Sequence, residues 1–220
     1  HVISVDKVMD EKIGLVKFDI LGVASLVAID EAKREDNIPD WEIDINNPEF
    51  ENDKVTYDLI CSGKTDNLFQ IESSGMKDLV AQLQPRSIEE LSALIALYRP
   101  DAMPSIPTYV DCKYHPEHIH YFHPDMEPIF RSTYGVNIYQ EQSMKLTKVF
   151  GGRNDAGADR MRKCLAKKKP EKVKEEVTIL RKEILDNGYD SRTAEYICDE
   201  LSTKGGYGLT KVKSLMLATT

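Results

Sequence analysis

The sequence has no long apolar run. Within its 220 residues, no stretch approaches the roughly 20 consecutive apolar residues that a membrane-spanning helix needs, and no secretory signal opens the chain. With 30% charged residues, the composition argues against a membrane protein. The 41% of hydrophobic residues still suffices for a packed core, and the length allows one large domain or two small ones.

Cysteine is also scarce, and its four copies are Cys61, Cys112, Cys164 and Cys198. They are widely separated and show none of the paired spacings of a disulfide framework or a cysteine zinc site. We therefore expect reduced thiols and a cytoplasmic location. The first residue is His1 rather than Met, so we expect the chain to be a piece of a longer protein.

The chain lacks an excess of positive charge, since its formal net charge is −8. This balance argues against a surface that is coated in nucleic acid, but it does not exclude a local basic groove. One stretch departs from the general acidity. It runs from Ala158 to Lys182 and begins Ala-Asp-Arg-Met-Arg-Lys-Cys-Leu-Ala-Lys-Lys-Lys-Pro.

Helical spacing divides the start of this basic stretch into two sides. One side is apolar and holds Met161, Cys164 and Leu165; the other is cationic and holds Arg160, Lys163 and Lys167. Packing of the apolar side directs the cationic row outward. Such a row of like charges costs stability unless an anion faces it. The row is either a solvated surface or a phosphate-binding surface.

A half-buried strand is predicted within Gly-Leu-Val-Lys-Phe-Asp-Ile-Leu-Gly, residues 14–22. Its apolar residues alternate with Lys17 and Asp19, which therefore share the polar face. These two side chains are either a salt-bridged edge pair or a metal ligand beside a phosphate contact. A helix is predicted from Ala24 to Glu35. Residues 37–52, with two prolines and no periodicity, are predicted to be a linker or an irregular excursion.

From Asp53 onward the patterns are helical. Met76, Leu79, Val80 and Leu83 form one apolar stripe. Ser87 and Glu90 have the spacing of a capping box for the next helix. Pro100 ends that helix and places Arg99 at its C-terminus, where the guanidinium complements the helix dipole or binds an anion.

Residues 104–124 are predicted to be a long connection. They contain every histidine except His1: His115, His118, His120 and His123. Imidazoles this close can bind zinc, but no acidic partners or HExxH spacing support a site. Incidental histidines in an exposed loop are the simpler interpretation.

The remaining segments predict a short extended piece at 134–139 and then further helices. Glycines mark the predicted helix ends at residues 151–152, 188 and 205–208. The last short helix carries Lys211 and Lys213. The expected fold is mainly α: a strand-containing piece at 1–36, a linker at 37–52 and a helical domain at 53–220.

Six of these stretches, in this order, resemble the α subunit of bacterial replicative DNA polymerase III, the C-family polymerases. Any one motif is weak, but six in order are specific, and the resemblance covers nearly the whole chain. The matching stretches are 14–22, Leu-Phe-Gln-Ile-Glu-Ser-Ser-Gly-Met at 68–76, Leu-Ile-Ala-Leu-Tyr-Arg-Pro at 94–100, Tyr-Gly-Val-Asn-Ile-Tyr-Gln-Glu-Gln at 134–142, 159–169, and Gly-Tyr-Gly-Leu-Thr-Lys at 206–211.

This resemblance implies that Asp19 is one of three palm carboxylates that hold two Mg²⁺ ions. Two-metal phosphoryl transfer needs hard oxygen ligands that bring the ions to about 4 Å of each other. Lys17, on the same strand face, would contact the triphosphate of the incoming nucleotide. The implied fold is the edge of the palm at 1–36 followed by the helical fingers domain at 53–220.

The resemblance also implies that the basic helix of the fingers binds the triphosphate. Its nucleotide-binding residues would be Arg162, Lys163 and Lys167, together with Lys211 near the C-terminus of the chain. Helical spacing and the resemblance agree on Lys163 and Lys167, whereas Arg162 lies off the predicted row. Further candidate contacts to the active site or DNA are Arg99, Gln140, Gln142, Arg160, Lys168 and Lys213.

The chain also departs from the family pattern. The other two carboxylates belong to an Asp-x-Asp motif upstream in the family, and Asp6, Asp10 and Glu11 lack that spacing. We therefore expect this piece to be unable to polymerise by itself. The family's Asn-Lys-Ser-His-Ser is replaced by Thr210-Lys-Val-Lys-Ser214, so the contacts of that stretch are altered. This drift suggests a divergent or phage-type member.

The favoured function is thus a piece of a DNA-directed DNA polymerase. Its expected partners are primer-template DNA, deoxynucleoside triphosphates, the rest of the polymerase and a replisome. The alternative is a non-catalytic module that binds nucleic acid or protein and keeps the fingers fold. Paired aspartates upstream of residue 1 would decide between them. A third reading, a metal-binding regulatory domain built on the histidines, requires stoichiometric zinc.

Overall fold

The computed structural model describes residue 9 and residues 13–15, 24–36, 53–166, 170–204 and 208–219. The chain divides into two compact units, His1–Ile43 and Asp44–Thr220. Within the described residues the protein is mainly helical, as predicted, with eleven α-helices and no strand. They are α1 Ala24–Asp36, α2 Lys54–Cys61, α3 Ser74–Leu83, α4 Ile88–Leu97, α5 Ile106–Tyr114, α6 Glu127–Phe130, α7 Gln140–Val149, α8 Asp155–Ala166, α9 Pro170–Asp186, α10 Ser191–Lys204 and α11 Lys211–Ala218.

The first unit contributes α1, and its observed bounds agree with the prediction to within one residue. An ion pair between Arg34 and Asp30, at 2.7 Å, links successive turns of this helix. Gly14 has a φ of +83°, which suits glycine because it has no Cβ. The predicted strand residues 16–20 and the predicted linker at residues 37–52 lie outside the described residues.

One core cluster of the second unit lies among α2, α3, α4 and the segment 136–139. The predicted stripe on α3 is confirmed, because Met76, Leu79, Val80 and Leu83 are all buried. Helix α11 packs along α4. There the Ser214 hydroxyl donates to the Ser92 carbonyl oxygen at 2.5 Å, so the end of the chain is fixed to the centre of this cluster.

The other core cluster lies among α6, α7, α8, α9 and α10. Its members include Phe150, Met161, Leu165, Leu180 and Ile197. Met161 and Leu165 are the predicted apolar side of the basic helix, and their burial directs the opposite side of α8 outward. The second cluster therefore positions the basic helix.

Of two local predictions, one was wrong and the other is confirmed only in part, since Ser87 caps the start of α4. Residues 104–124 are not one long connection, because Ile106–Tyr114 forms α5 and buries Tyr109 and Cys112. The capping box at α4 is incomplete: the Ser87 hydroxyl accepts from the Glu90 N–H at 3.2 Å, but the Glu90 carboxylate accepts from the Arg86 N–H at 2.7 Å. The Glu90 carboxylate is also bound by Lys113 on α5, at 3.0 Å, and by the Tyr134 hydroxyl, at 2.7 Å.

Among the described residues, no helix combines the length and the apolar character needed to cross a membrane. The four cysteines are free thiols. Burial raises the pKa of Cys198 to about 11, so this thiol is protonated and unreactive near neutral pH.

Candidate functional site

Four predicted site residues lie outside the described residues: Lys17, Asp19, Lys167 and Lys168. The metal-binding role of Asp19, the triphosphate contacts of Lys17 and Lys167, and the active-site or DNA contact of Lys168 therefore remain predictions. The described candidate residues lie on or next to α4, α7, α8 and α11.

Asp159 is the centre of a cation cluster on α8. Its Oδ1 accepts from Arg162 Nε at 2.9 Å and pairs with Nη2 at 2.8 Å, while its Oδ2 pairs with Lys163 Nζ at 2.8 Å. The hydrogen bond from Lys163, followed by that from Arg162, holds the pKa of Asp159 below its ordinary value. The carboxylate thus stays charged and holds the two cations side by side.

Arg162 also connects α8 to α7. Its Nη1 donates to Gln140 Oε1 at 3.5 Å, a long hydrogen bond. The Arg162 side chain is 29% exposed, whereas the Lys163 side chain is 62% exposed. Helical spacing alone had placed Arg162 off the cationic row, but the structure brings it together with Lys163 and Gln140.

Arg160, the third described cation of this helix, pairs differently. Its Nε lies 3.7 Å from Glu176 Oε1 on α9. The same Glu176 oxygen accepts from Arg153 Nη1 at 2.6 Å. Arg160 thus pairs with Glu176 and does not belong to the Asp159 cluster. The anions that face the cationic row include carboxylates of the protein itself.

Arg153 is a residue that the sequence did not single out. Its side chain is 4% exposed, and besides Glu176 it binds Glu183 Oε2 through Nε at 2.6 Å. Its Nη2 has no hydrogen-bond partner among the described residues. Arg153 lies two residues before the start of α8, where the Asn154 side chain accepts from the Gly157 N–H at 2.9 Å. It therefore fixes the beginning of the basic helix to α9.

Gln142 lies inside the protein rather than at its surface. Its Oε1 accepts from the N–H groups of Ile138 and Tyr139, both at 2.9 Å. Its Nε2 donates to the Ile129 carbonyl at 3.2 Å and to Thr133 Oγ1 at 2.7 Å. All four hydrogen-bonding positions of the amide are used. This geometry favours a role in positioning α7 over direct contact with a substrate.

Lys211 begins α11 and binds carboxylates on two other helices. Its backbone N–H donates to both oxygens of Glu141 at 2.9 Å, and its Nζ donates to Glu89 Oε1 at 3.0 Å. Close approach at Gly208 brings this segment to α7, since a Cβ there would lie 2.8 Å from the Gln140 nitrogen. Lys213 is exposed and makes no ion pair with the described residues.

Arg99 lies apart from these clusters, in a cleft of about 330 Å³. The walls are shared by two of the recognised motifs, and the lining residues are Gln70, Glu72, Ser73, Met76, Ile95, Tyr98 and Arg99. Arg99 follows the end of α4 by two residues. Its placement beside a cleft is consistent with an anion contact.

The histidines do not assemble into a metal site within the described part of the chain, where no group of three or more His, Cys, Asp or Glu side chains could hold a metal ion. His118 Nδ1 instead lies 2.8 Å from Asp111 Oδ2. The ring of His123 packs edge-on against Phe150 and Tyr189.

Comparison with known sequences gives a consistent result. Residues 25–188 match the family model described as the finger domain of the bacterial DNA polymerase III alpha subunit. The chain is 39% identical over 198 residues to DNA polymerase III subunit alpha of Rickettsia conorii, covering 90% of this chain and 17% of that protein.

Two further relatives carry the same name. The Caulobacter vibrioides protein is 42% identical over 163 residues, covering 74% of this chain and 14% of the relative. The Staphylococcus epidermidis protein is 35% identical over 209 residues, covering 93% of this chain and 19% of the relative. The chain thus spans less than a fifth of the length of these curated relatives.

Proposed function

The chain belongs to the family of bacterial DNA polymerase III alpha subunit finger domains, and from this membership we propose that it forms the fingers and the palm edge of a DNA-directed DNA polymerase. The fingers bind the triphosphate of the incoming deoxynucleotide through Arg162 and Lys163, assisted by Lys167, Lys211 and Lys17. Asp19 supplies one metal-binding carboxylate. DNA and the rest of the polymerase complete the active site.

The observation that carries this proposal is the cluster around Asp159. The two cations predicted to bind the triphosphate are adjacent on one helix, and a carboxylate holds them at hydrogen-bond distance. Guanidinium and ammonium groups are the donors that phosphate oxygens prefer. Arg162 has five N–H donors and Lys163 has three, so the contacts to Asp159 leave donors on both side chains for a ligand.

Gln140 and Arg153 assist in this proposal without touching the nucleotide. Gln140 accepts from Arg162 and limits the directions that the guanidinium can take. Arg153 fixes the start of α8 through Glu176 and Glu183. A rigid basic helix loses less side-chain entropy when it binds a triphosphate.

Magnesium is the cofactor that this function implies. The described residues offer no cluster that could hold it, so its ligands would be Asp19 and carboxylates from other parts of the full-length polymerase. When bound, Mg²⁺ activates the primer hydroxyl and neutralises the leaving pyrophosphate. Because no Asp-x-Asp motif precedes Asp19 in this sequence, we propose that the 220-residue piece is inactive alone.

A second function remains open, namely a non-catalytic module that keeps the fingers fold. The observation in its favour is that Arg160, Lys163 and Lys211 already pair with carboxylates of the protein. Such pairing reduces the positive charge available to a ligand. Absence of paired aspartates upstream of residue 1 in the open reading frame would favour this function.

The nucleotide contact is tested with Lys163→Ala in the full-length polymerase. We expect the apparent KM for deoxynucleotides to rise by on the order of tenfold, because a hydrogen bond to a charged group contributes about 1.5–3 kcal/mol. Lys148→Ala is the matched control, since Lys148 is also a helix lysine paired with a carboxylate, Asp155 at 2.6 Å. An unaltered KM with wild-type turnover would argue against the triphosphate contact.

The metal-binding role of Asp19 has a separate test. Asp19→Asn removes a charged oxygen ligand but keeps the size of the side chain. In the full-length protein we expect nucleotide incorporation to be abolished and primer-template binding to remain nearly intact. Wild-type incorporation by this variant would exclude the catalytic role.

A further inference from the structure

Arg99 has an unusual environment among the arginines of the protein. Three described arginine side chains are at least partly buried: Arg99, Arg153 and Arg162. Arg153 and Arg162 both pair with carboxylates. Arg99 makes no side-chain hydrogen bond or ion pair with any residue that the structure describes. Its guanidinium donors are therefore available to an anionic ligand that enters the cleft.

The surrounding cleft favours an anion of low charge. Its volume of about 330 Å³ far exceeds the roughly 30 Å³ of one water molecule. Glu72 also lines the cleft and repels a ligand that carries several negative charges. A triphosphate is therefore disfavoured here. A single phosphodiester carries one negative charge, which the one guanidinium of Arg99 can neutralise even with the Glu72 carboxylate in the same cleft.

The loop that forms one wall is held in a fixed shape. The Thr65 hydroxyl, fully buried, donates to the Ile71 carbonyl oxygen at 2.6 Å and closes the loop. Asn67 and Gln70 have φ values of +66° and +68°, a left-handed conformation that non-glycine residues rarely adopt. Backbone strain of this kind persists where surrounding contacts enforce it and is common in ligand-binding loops.

The tip of the same loop presents apolar groups to solvent. Leu68 is 38% exposed and Phe69 is 43% exposed. Phe69 directly precedes Gln70, which lines the cleft. Proteins hold a nucleic-acid strand by combining cations that bind its phosphates with exposed aromatic side chains that stack on its bases.

We propose that the cleft around Arg99 binds one backbone phosphodiester of a DNA strand, and that Phe69 contacts the neighbouring nucleotide. This site is separate from the cluster on α8. It rests on the proposed function only in that the strand is the DNA on which the polymerase acts. Gly75 helps to form the site, because a Cβ there would lie 2.1 Å from the Tyr98 hydroxyl, so a larger residue would push Tyr98 out of its place in the cleft wall.

The experiment measures the affinity of the full-length polymerase for primer-template DNA by fluorescence anisotropy over a range of salt concentrations. Arg99→Ala is expected to weaken binding several-fold and to reduce the slope of log K against log salt by about 0.9, the value for one phosphate contact. Arg99→Lys is expected to restore the slope. The KM for deoxynucleotides at saturating DNA should stay unchanged.

Three further variants sharpen the test. Arg192→Ala is the matched control, because Arg192 is exposed on α10 and its loss removes the same charge outside the cleft; its slope should equal that of the wild type. Gln70→Glu adds a negative charge to the cleft with little change in size and should weaken DNA binding, which keeps the test valid if Arg99→Ala folds poorly. Phe69→Ala should weaken binding without changing the slope.

Two results would overturn the proposal. One is that Arg99→Ala keeps the wild-type slope of log K against log salt and Gln70→Glu keeps the wild-type affinity for DNA. The other is a raised KM for deoxynucleotides with unaltered DNA affinity, which would make Arg99 a triphosphate contact. Either result leaves the proposed function standing if Lys163→Ala still raises the KM. An unaltered KM for Lys163→Ala would instead count against the proposed function.

Discussion

His118 illustrates the effect of one neighbour on a single side chain. Its hydrogen bond with Asp111, and secondly the negative charge of that carboxylate, raise its pKa above the ordinary value of 6.5. A pKa that is raised by folding stabilises the protein at pH values below the unfolded-state pKa. That contribution is lost as the pH rises through the folded-state pKa.

We expect Asp111→Asn to lower the pKa of His118, because the variant removes the largest cause of the shift. The measurement is a titration of the His118 ring protons by NMR. Glu117→Gln is the control, since its charge is the smallest contributor that raises this pKa, and its effect should be weaker. Equal shifts in the two variants would show that the hydrogen bond is not the main cause.

On α8, a bound triphosphate would compete with Asp159 for the same cations. Asp159 binds Arg162 and Lys163, and a triphosphate would draw on the same donors. Both pairs are at least partly exposed, so each contributes only about 0.2–1 kcal/mol. A ligand can therefore replace or share them at small cost.

Asp159→Asn in the full-length polymerase is accordingly expected to lower the KM for deoxynucleotides by up to about fivefold, which corresponds to the upper end of that energy range. The amide keeps an acceptor for Arg162 but carries no charge to repel phosphate. Steady-state kinetics at low salt gives the value. A raised KM would mean that Asp159 acts mainly by positioning the cations.

Helices α3, α4 and α5 are joined by one buried ion pair. Lys113 on α5 lies 3.0 Å from Glu90 on α4, with both side chains largely buried. Lys113 also donates to the carbonyl oxygens of Leu83 and Gln84 at the end of α3, at 2.7 and 3.0 Å. Glu90 in turn accepts from the Tyr134 hydroxyl at 2.7 Å. The pair therefore satisfies groups on several elements at once.

Removal of one side chain of the Lys113–Glu90 ion pair should destabilise the fold. We expect Lys113→Met to lower the free energy of unfolding by about 3–5 kcal/mol, because it leaves a buried carboxylate and two helix-end carbonyls without their partner. Urea denaturation gives the change. Lys77→Met is the comparison, since Lys77 pairs at 2.6 Å with an exposed Asp66, and its loss should cost less than about 1 kcal/mol.

At the scale of the whole second unit, Gln142 lies between the two core clusters. It binds backbone groups of Ile138 and Tyr139 in the first cluster and of Ile129 in the second. The two clusters are otherwise built from different helices. A single amide thus links the cluster that contains α4 to the cluster that positions the basic helix.

We expect Gln142→Ala to lower the free energy of unfolding by on the order of 3 kcal/mol, since buried donors and acceptors lose their partners. Chemical denaturation of the chain measures this loss. Gln82→Ala, an exposed position on α3, should change stability by less than about 0.5 kcal/mol. A comparably small loss for Gln142→Ala would show that water or neighbouring groups replace its hydrogen bonds.

The sequence was sufficient for those features that depend on neighbouring residues. Helix ends near Gly152 and Gly188 and the buried stripe of α3 followed from local hydrogen bonding and the 3.6-residue period, and the structure confirms them. The family was also recognisable, because its motifs are continuous in the chain and the comparison matches residues 25–188.

Partnership between distant residues required the tertiary structure. The packing of the helices decides which charged side chains form ion pairs. It pairs Arg153 with Glu183 and Lys211 with Glu89, and it leaves Arg99 unpaired within the described residues. No local pattern encodes that choice, since the same charged residue in a helix can pair with a neighbour, cross to another element or stay free. Packing of the two clusters decides among these outcomes because it fixes how far each side chain must reach.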